Sequence, residues 1–144
     1  MSPVTYFLIY LTSGIALHLL IPYKLFTDPQ IAFIGFVLLI IGSWLTMWTD
    51  STLKRYKTPV SIFKEPTSLV LDGPFAFSRN PMYFGMLILL FGFSVLLGSI
   101  AAFSAPVLFF ITANTDFIPR EEKRLAKKFE ERYANYSKNV GRWF

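Results

Sequence analysis

The sequence predicts an all-α membrane protein with about four transmembrane helices, spans 3 and 4 forming a hairpin, and a C-terminal amphipathic cytosolic helix. Its 144 residues are 53% hydrophobic and 16% charged, and their mean hydropathy is +0.48. A soluble domain carries about 25% charged residues, so this chain is too apolar for water. Four apolar runs alternate with polar segments, and the length is that of one domain. We therefore expect a single integral-membrane domain over residues 1–144.

The first two apolar runs have the length of membrane spans. Residues 4–22 and 31–49 carry no formal charge. About nineteen residues at 1.5 Å each cover roughly 28 Å, close to the thickness of the hydrocarbon core. Trp44 and Trp48 stand one turn apart near the end of the second run. Tryptophans at a span end are typical of the membrane interface, so both runs are predicted to cross the bilayer.

The second half of the chain predicts a helical hairpin in the membrane. Pro81 suits the first turn of a helix, where its missing N–H leaves no bond unmade, so the third span is placed at 81–97. A Gly-Ser turn at 98–99 then leads into a fourth span at 100–118. Pro106 lies inside that fourth span and is expected to kink it. So short a turn makes the two spans antiparallel neighbours.

Basic residues are concentrated in two segments. The connection at 50–80 carries five Lys and Arg, and the tail at 119–144 carries eight, whereas Lys24 is the sole basic residue of the other two connections. The five are Lys54, Arg55, Lys57, Lys64 and Arg79. By the positive-inside rule, the connection, the tail and both termini are expected in the cytosol of a prokaryotic inner or plasma membrane.

The tail from Pro119 to about Tyr136 has the pattern of an amphipathic helix. Its apolar residues lie within about 40° of one another on a helical wheel, and they are Ile118, Leu125, Phe129 and Tyr136. Glu121 and Glu122 flank this stripe instead of joining the charged face. Two interpretations stay open: acids in a first turn favour the helix dipole, or two carboxylates beside an apolar stripe bind a cationic ligand or its hydroxyls.

A polar motif, Arg79-Asn80-Pro81-x-Tyr83, stands just before the third span. It is either a helix start, with Asn80 as N-cap and a snorkelling arginine, or a polar wall that faces the two glutamates. Asn114 and Asp116 raise a similar choice near the end of the fourth span. Asp116 is either a functional group paired with Arg79 or Lys123, or an interfacial residue that caps the tail helix.

Several functional classes are excluded or disfavoured by composition. The chain has no cysteine and one histidine, His18, so we predict no metal site. A basic tail beside membrane spans indicates topology and contact with anionic lipid, and we expect no nucleic acid partner. Gly85, Gly92 and Gly98 could let helices approach closely, but they form no phosphate-binding loop. The sequence defines no oligomeric state.

Two linked motifs resemble a known enzyme superfamily. The first is Gly73-Pro74-Phe75 followed by Ser78-Arg79-Asn80-Pro81-Met82-Tyr83-x-Gly85. The second is Ile118-Pro119-x-Glu121-Glu122-x-x-Leu125, with Phe129, Tyr133, Tyr136, Val140 and Arg142-Trp143 behind it. Together they resemble the isoprenylcysteine carboxyl methyltransferases and the related phospholipid N-methyltransferases, as a minimal prokaryotic-type member. The resemblance covers about half of the chain, from Leu71 to the end.

The resemblance implies a cytosolic pocket for S-adenosylmethionine and a lipophilic acceptor that enters from the bilayer. The residues expected to bind the cofactor are Arg79, Asn80, Pro81, Tyr83, Gly85, Asn114, Glu121 and Glu122. Arg79 and Arg142 are expected to take part in catalysis, with Arg142 placing the acceptor. The sequence departs from the carboxyl methyltransferases at Asn80, where they commonly have histidine. Asparagine keeps a donor and an acceptor but carries no proton at neutral pH.

The function expected from these features is S-adenosylmethionine-dependent methyl transfer at the cytosolic membrane face. A carboxylate like that of prenylcysteine, a lipid amine and a lipid hydroxyl all remain open as the acceptor. The alternative is a non-catalytic membrane module whose basic tail binds anionic lipid or a partner. A small transporter is disfavoured, because the spans contain no charged pair.

Overall fold

The computed structural model describes residues 2–25, 27–59 and 65–144. Lys64, one of the five basic residues of the long connection, lies outside them. The described residues are mostly helical and contain no β-strand; an isolated antiparallel bridge joins Lys24 to Ser99. The all-α fold predicted from the apolar runs is therefore confirmed.

The described residues form five α-helices. They are α1 (Pro3–Leu20), α2 (Pro29–Arg55), α3 (Pro81–Leu97), α4 (Ser104–Thr112) and α5 (Ile118–Asn139). Short 3-10 turns occupy Gly73–Ala76 and Ala101–Phe103, and a π turn, Ala113–Phe117, joins α4 to α5. Within the part of the chain that the structure describes, three helical segments are long and apolar enough to cross a membrane, namely α1, α2 and the continuous stretch Ala101–Asn139. Helix α3 is apolar but shorter, at 17 residues.

The second helix is longer than the apolar run predicts. The run ends at residue 49, but α2 continues to Arg55. Thr49 and Thr52 turn their hydroxyls back to carbonyl oxygens one turn earlier, at 2.8 and 2.9 Å, so these polar side chains remain compatible with a helix. Lys54 and Arg55 fall in its last turn, where positive charge is favourable next to the terminal carbonyls. The long connection therefore begins about six residues later than expected.

The fourth span and the tail form one continuous helix, not two separate ones. Pro106 lies in the first turn of α4, where a proline N–H would have no helical partner, so the irregularity expected there is absent. It occurs instead in the π turn that ends at Phe117, two residues before Pro119. Pro119 cannot donate to the carbonyl of Thr115, and its ring crowds that carbonyl, which a wider π turn relieves.

Helix α5 bends sharply at Glu130, where φ is 43° and ψ is −116°. A positive φ is unfavourable for a residue with a Cβ, so the bend is maintained by the packing on either side of it. Beyond the bend, Tyr133 and Tyr136 return to the start of α3. The Tyr136 hydroxyl donates to the Phe75 carbonyl at 2.7 Å. The bend therefore closes the tail over the segment that contains the first motif.

Helices α2 and α3 pack with their backbones in near contact. A Cβ placed on Gly42 would lie 2.8 Å from the Gly85 carbonyl oxygen, and one on Gly92 would lie 3.0 Å from that of Gly35. Neither distance leaves room for a methyl group. Small residues are what allow membrane helices to approach this closely. The glycine pattern thus fixes how α3, and the polar motif at its start, sits against α2.

The two ends of the helix bundle differ in character. At one end the α1–α2 connection meets the α3–α4 turn, since Leu25 N donates to Gly98 O at 2.7 Å. At the other end the first residues of α1, the last turns of α2, the start of α3 and the helix α5 surround one cavity. The polar motifs converge at this second end, together with both termini.

Replacing Gly35 by alanine should destabilise the protein. Its new Cβ would lie 2.6 Å from Leu96 N and 2.8 Å from Gly92 O, and backbone atoms cannot move aside cheaply. We expect a loss of about 1–3 kcal/mol, the usual effect of overpacking, measured as a lower unfolding midpoint in detergent. Gly14→Ala is the matched control, because its nearest contact is a side-chain carbon at 3.2 Å. Equal midpoints for the two variants would contradict this packing.

Candidate functional site

A cavity of about 310 Å³ lies at the end of the bundle that holds the polar motifs. Most of its wall is apolar, contributed by residues such as Val4, Leu53, Val70, Met82, Met86 and Leu125. Its polar wall includes Thr49, Arg79, Asn80, Tyr83, Glu121 and Arg124. Small-molecule sites have this composition, an apolar pocket with a few converging polar groups, and volumes from about 300 Å³ upward.

One polar contact across the cavity joins the two sequence motifs. The Tyr83 hydroxyl, from the first turn of α3, donates to Glu121 Oε2 at 3.2 Å. The Tyr83 ring is stacked on Phe117 with centroids 5.9 Å apart, which holds the phenol in this direction. Glu121 lies beyond the apolar part of its helix, and burial raises the pKa of its carboxyl above the ordinary glutamate value.

Glu122 lies behind the cavity wall and binds two arginines. Arg79 Nη1 lies 3.1 Å from Glu122 Oε1. Arg142 approaches with two donors, Nε at 3.2 Å from Oε1 and Nη2 at 2.7 Å from Oε2. The side chains of Arg79 and Glu122 are only 16% and 20% exposed. We call these three residues the Glu122 cluster; it joins the first motif, α5 and the C-terminal residues.

Besides its contact with Glu122, Arg79 makes a second hydrogen bond and carries one donor that has no partner among the described residues. Its Nη1 also donates to the Tyr133 hydroxyl at 3.2 Å, which the bend in α5 makes possible. Its Nε is buried and has no hydrogen-bond partner within residues 2–25, 27–59 and 65–144. A buried donor without an acceptor is unusual in a folded protein. Arg79 also lines the cavity.

Asn80 occupies the N-cap position of α3, as predicted, but its side chain does not cap the helix. Its Nδ2 donates instead to the backbone carbonyl of Arg142 at 2.9 Å. Asn80 is 6% exposed. The C-terminal residues fold over the start of α3, and the Asn80 amide donates its hydrogen bond to them. The expected cap bond is therefore absent.

Asn114 and Gly85 lie away from the cavity lining. The amide oxygen of Asn114 accepts a bond from Trp143 Nε1 at 3.3 Å. Gly85 faces α2, where a Cβ would overlap Thr46. Both residues shape the surroundings of the site, and their contact with a cofactor stays a prediction. Asp116 pairs with Arg120 at 2.6 Å, and not with Arg79 or Lys123 as one interpretation had it.

The structure thus brings most of the expected site residues together. Arg79, Asn80, Pro81, Tyr83 and Glu121 line the cavity, and Glu122 and Arg142 stand directly behind it. The wall residues at the start of α1 and the end of α2, such as Val4 and Thr49, are not predicted from the sequence. A local pattern carries no signal for them, since they reach the site only through helix packing. Tyr133 and Tyr136 belonged to the second motif and could have been assigned.

Comparison with known proteins decides the family. A sequence model described as phospholipid methyltransferase matches residues 30–132, well over half of the chain. The chain belongs to the phospholipid methyltransferase family. This bears out the resemblance seen in the two motifs and makes the protein a member of a family of membrane methyltransferases. The match covers Arg79, Asn80, Glu121 and Glu122 and ends before Arg142.

One relative is also similar. A protein of Haemophilus influenzae (strain ATCC 51907 / DSM 11121 / KW20 / Rd), described as uncharacterized, is 34% identical over 62 residues. These are 43% of this chain and 98% of that protein. No solved structure matches the chain.

The buried carboxyl of Glu121 makes stability depend on pH. Burial raises the pKa of Glu121 above its unfolded value of about 4.3. Between the two pKa values the folded state therefore holds more protons than the unfolded state. The free energy of unfolding falls as pH rises through that window. The Glu121→Gln variant has no carboxyl to titrate, so it lacks this fall in the free energy of unfolding. Its amide oxygen can still accept the hydrogen bond from Tyr83. The unfolding midpoint of the variant minus that of the wild type should therefore grow from pH 4.5 toward neutrality.

Glu131→Gln is the control, since Glu131 is exposed on the same helix. Its midpoint should follow that of the wild type at every pH. A constant difference between Glu121→Gln and the wild type over the same range would show that Glu121 is not desolvated.

Proposed function

We propose that this membrane methyltransferase takes its methyl group from S-adenosylmethionine and transfers it to a lipophilic acceptor at the cavity. The proposal depends on one observation, the position of the Glu121 carboxylate in the cavity wall without an ion pair to any described residue. Among the described residues this carboxylate lines a mostly apolar cavity and forms no ion pair. Arg124 lines the same wall and acts on Glu121 only from a distance, so the carboxylate can still pair directly with a ligand that brings its own positive charge.

The residues present fit that cofactor. S-adenosylmethionine carries a sulfonium, an ammonium, ribose hydroxyls and a carboxylate. Glu121 suits the cationic groups or the hydroxyls, and the guanidinium of Arg79, whose buried Nε has no partner among the described residues, suits the carboxylate. The two groups lie on opposite motifs that share one cavity wall, so a single ligand could engage both. The family match points to the same donor, which methyltransferases of this type use.

The chemistry asks the protein mainly for positioning. When bound, S-adenosylmethionine supplies a methyl group that is open to in-line displacement. The protein's part is to hold donor and acceptor in line and to exclude water, for which Met82, Met86 and Leu125 supply apolar walls. Orientation of this kind is worth about 7–11 kcal/mol of the barrier. The role of Arg142 in placing the acceptor stays a prediction, because here it binds Glu122.

The acceptor sets a second requirement. A carboxylate can attack as it is, whereas an ammonium must first lose a proton. Glu121 is a carboxyl in the cavity wall that could receive this proton, and its raised pKa suits it to do so. The apolar lining favours an acceptor that carries lipid chains. We propose that the acceptor enters from the bilayer.

We further propose that the cavity end faces the cytosol. The described basic residues of the long connection and those of α5 gather there, as the positive-inside rule requires. On α5 the cations Lys123, Lys127 and Lys128 are exposed, while Glu121 and Glu122 turn inward. The outer side of α5 is thus suited to contact anionic head groups.

Titration calorimetry of purified protein with S-adenosylhomocysteine tests the donor site. We expect saturable binding to the wild type and binding at least about ten-fold weaker to Glu121→Gln, equivalent to about 1.4 kcal/mol. The control Glu131→Gln should bind as the wild type does, because its side chain is exposed on the far side of the bend. No saturable heat at millimolar ligand would refute the proposal and favour the non-catalytic lipid-binding module.

A further inference from the structure

The last four residues, 141–144, fold back over the start of α3, and we call them the C-terminal strap. Arg79 N donates to Gly141 O at 3.0 Å, and Asn80 Nδ2 donates to Arg142 O at 2.9 Å. These two bonds fix consecutive carbonyls of the strap to consecutive residues of the first motif. The strap is therefore held in register along the motif at two successive positions.

Aromatic packing holds the far end of the strap. The Trp143 ring is stacked on Phe110 of α4, with centroids 5.3 Å apart, and meets Phe84 of α3 edge-on at 6.4 Å. A Cβ at Gly141 would overlap the Phe144 carbonyl, so the strap also turns tightly on itself. The strap thus bridges α3 and α4 close to the cavity.

A chain of contacts links this strap to the cavity. The strap presents Arg142 to Glu122, which holds Arg79 at 3.1 Å in turn. Asn80 begins this series of contacts, because its side-chain amide donates a hydrogen bond to the backbone carbonyl of Arg142. A guanidinium keeps one orientation only where its hydrogen-bond partners are fixed. Detaching the strap should therefore make the Arg79 side chain more mobile.

We propose that Asn80 is a positioning residue: its amide holds the C-terminal strap, and the strap sets the Glu122 cluster and with it the direction of Arg79 in the cavity. The role needs one N–H donor and no proton transfer, which fits asparagine at this position. The match to the methyltransferase family ends at residue 132, before the strap. The inference rests on the proposed function only for the consequence on ligand binding.

The attachment of the strap can be measured without any ligand. In a Trp44→Phe, Trp48→Phe background, Trp143 is the sole tryptophan, and its emission reports whether the strap is docked. Asn80→Asp removes the donor and places a carboxylate against the Arg142 carbonyl. Aspartate is as good an N-cap as asparagine, so the helix itself should fold. We expect a red-shifted emission and stronger quenching by acrylamide.

Asn135→Asp is the matched control, the same chemical change at an exposed position of α5. It should leave the emission and quenching of Trp143 as they are in the parent. If Asn80→Asp also leaves them unchanged, the strap does not depend on Asn80 and the proposal is wrong. This result stands whether or not the protein binds S-adenosylhomocysteine.

A double-mutant cycle separates positioning from direct contact, because Asn80 also lines the cavity. We measure the dissociation constant for S-adenosylhomocysteine in Asn80→Asp, Arg142→Gln and the double variant. If Asn80 acts through the strap, each single change weakens binding by roughly ten-fold and the double variant binds no more weakly than the poorer single one. Additive losses, roughly a hundred-fold in the double variant, would mean that Asn80 touches the ligand and would overturn the proposal. A wild type that binds no ligand refutes the donor site, and Trp143 then decides the strap.

Discussion

The pairing of Glu122 with Arg79 and Arg142 is the interaction on which the site depends. It joins three segments that are distant in sequence: the motif before α3, the first turn of α5 and the C-terminal strap. Taking such ions out of water costs several kcal/mol each, so they are stable only where hydrogen bonds satisfy them. Glu122 meets this condition with a two-donor contact from Arg142 and a further contact from Arg79. Removing Glu122 would leave two partly buried arginines without their carboxylate, whereas removing either arginine would leave Glu122 with one partner.

The two adjacent glutamates take different tasks because of helical geometry. Neighbouring residues of an α-helix point about 100° apart. Glu121 therefore faces the cavity and Tyr83, while Glu122 faces the arginines behind the wall. Arg79 and Arg142 carry as many positive charges as the two glutamates carry negative ones, and Arg124 adds a further positive charge to the cavity wall. One residue anchors the structure, and its neighbour is left available to a ligand.

The membrane helices fix where these side chains meet. The glycine contact between α2 and α3 sets the position of Tyr83 along the helix bundle. The continuous helix from α4 into α5 sets the position of Glu121 along it. The strained backbone at Glu130 then turns the tail back, so that Tyr133 can reach Arg79. Strain at a residue with a Cβ is tolerated where surrounding contacts maintain it.

Much of this arrangement could be predicted from the sequence, and the reasons are physical. Bilayer thickness sets the length of apolar runs, so α3 occupies the predicted residues 81–97, whereas α2 runs six residues past its predicted end. The helical wheel placed the two glutamates beside the apolar stripe, which left a ligand site as one of two interpretations. The strap could not be predicted, because the bond from Asn80 to Arg142 joins residues 62 apart and local patterns carry no such information. The bend at Glu130 was missed as well, since no glycine or proline stands there.

Methyl transfer itself is the most direct test of the central claim that two motifs form one donor pocket beside the bilayer. Purified protein would be incubated with methyl-labelled S-adenosylmethionine and a membrane extract of its host, and the label would be followed into the lipid-soluble fraction. The wild type should produce a labelled lipophilic product, and Glu121→Gln should produce far less. A labelled product formed equally by both proteins would contradict the assigned pocket, and no labelled product with the wild type would contradict the assigned reaction.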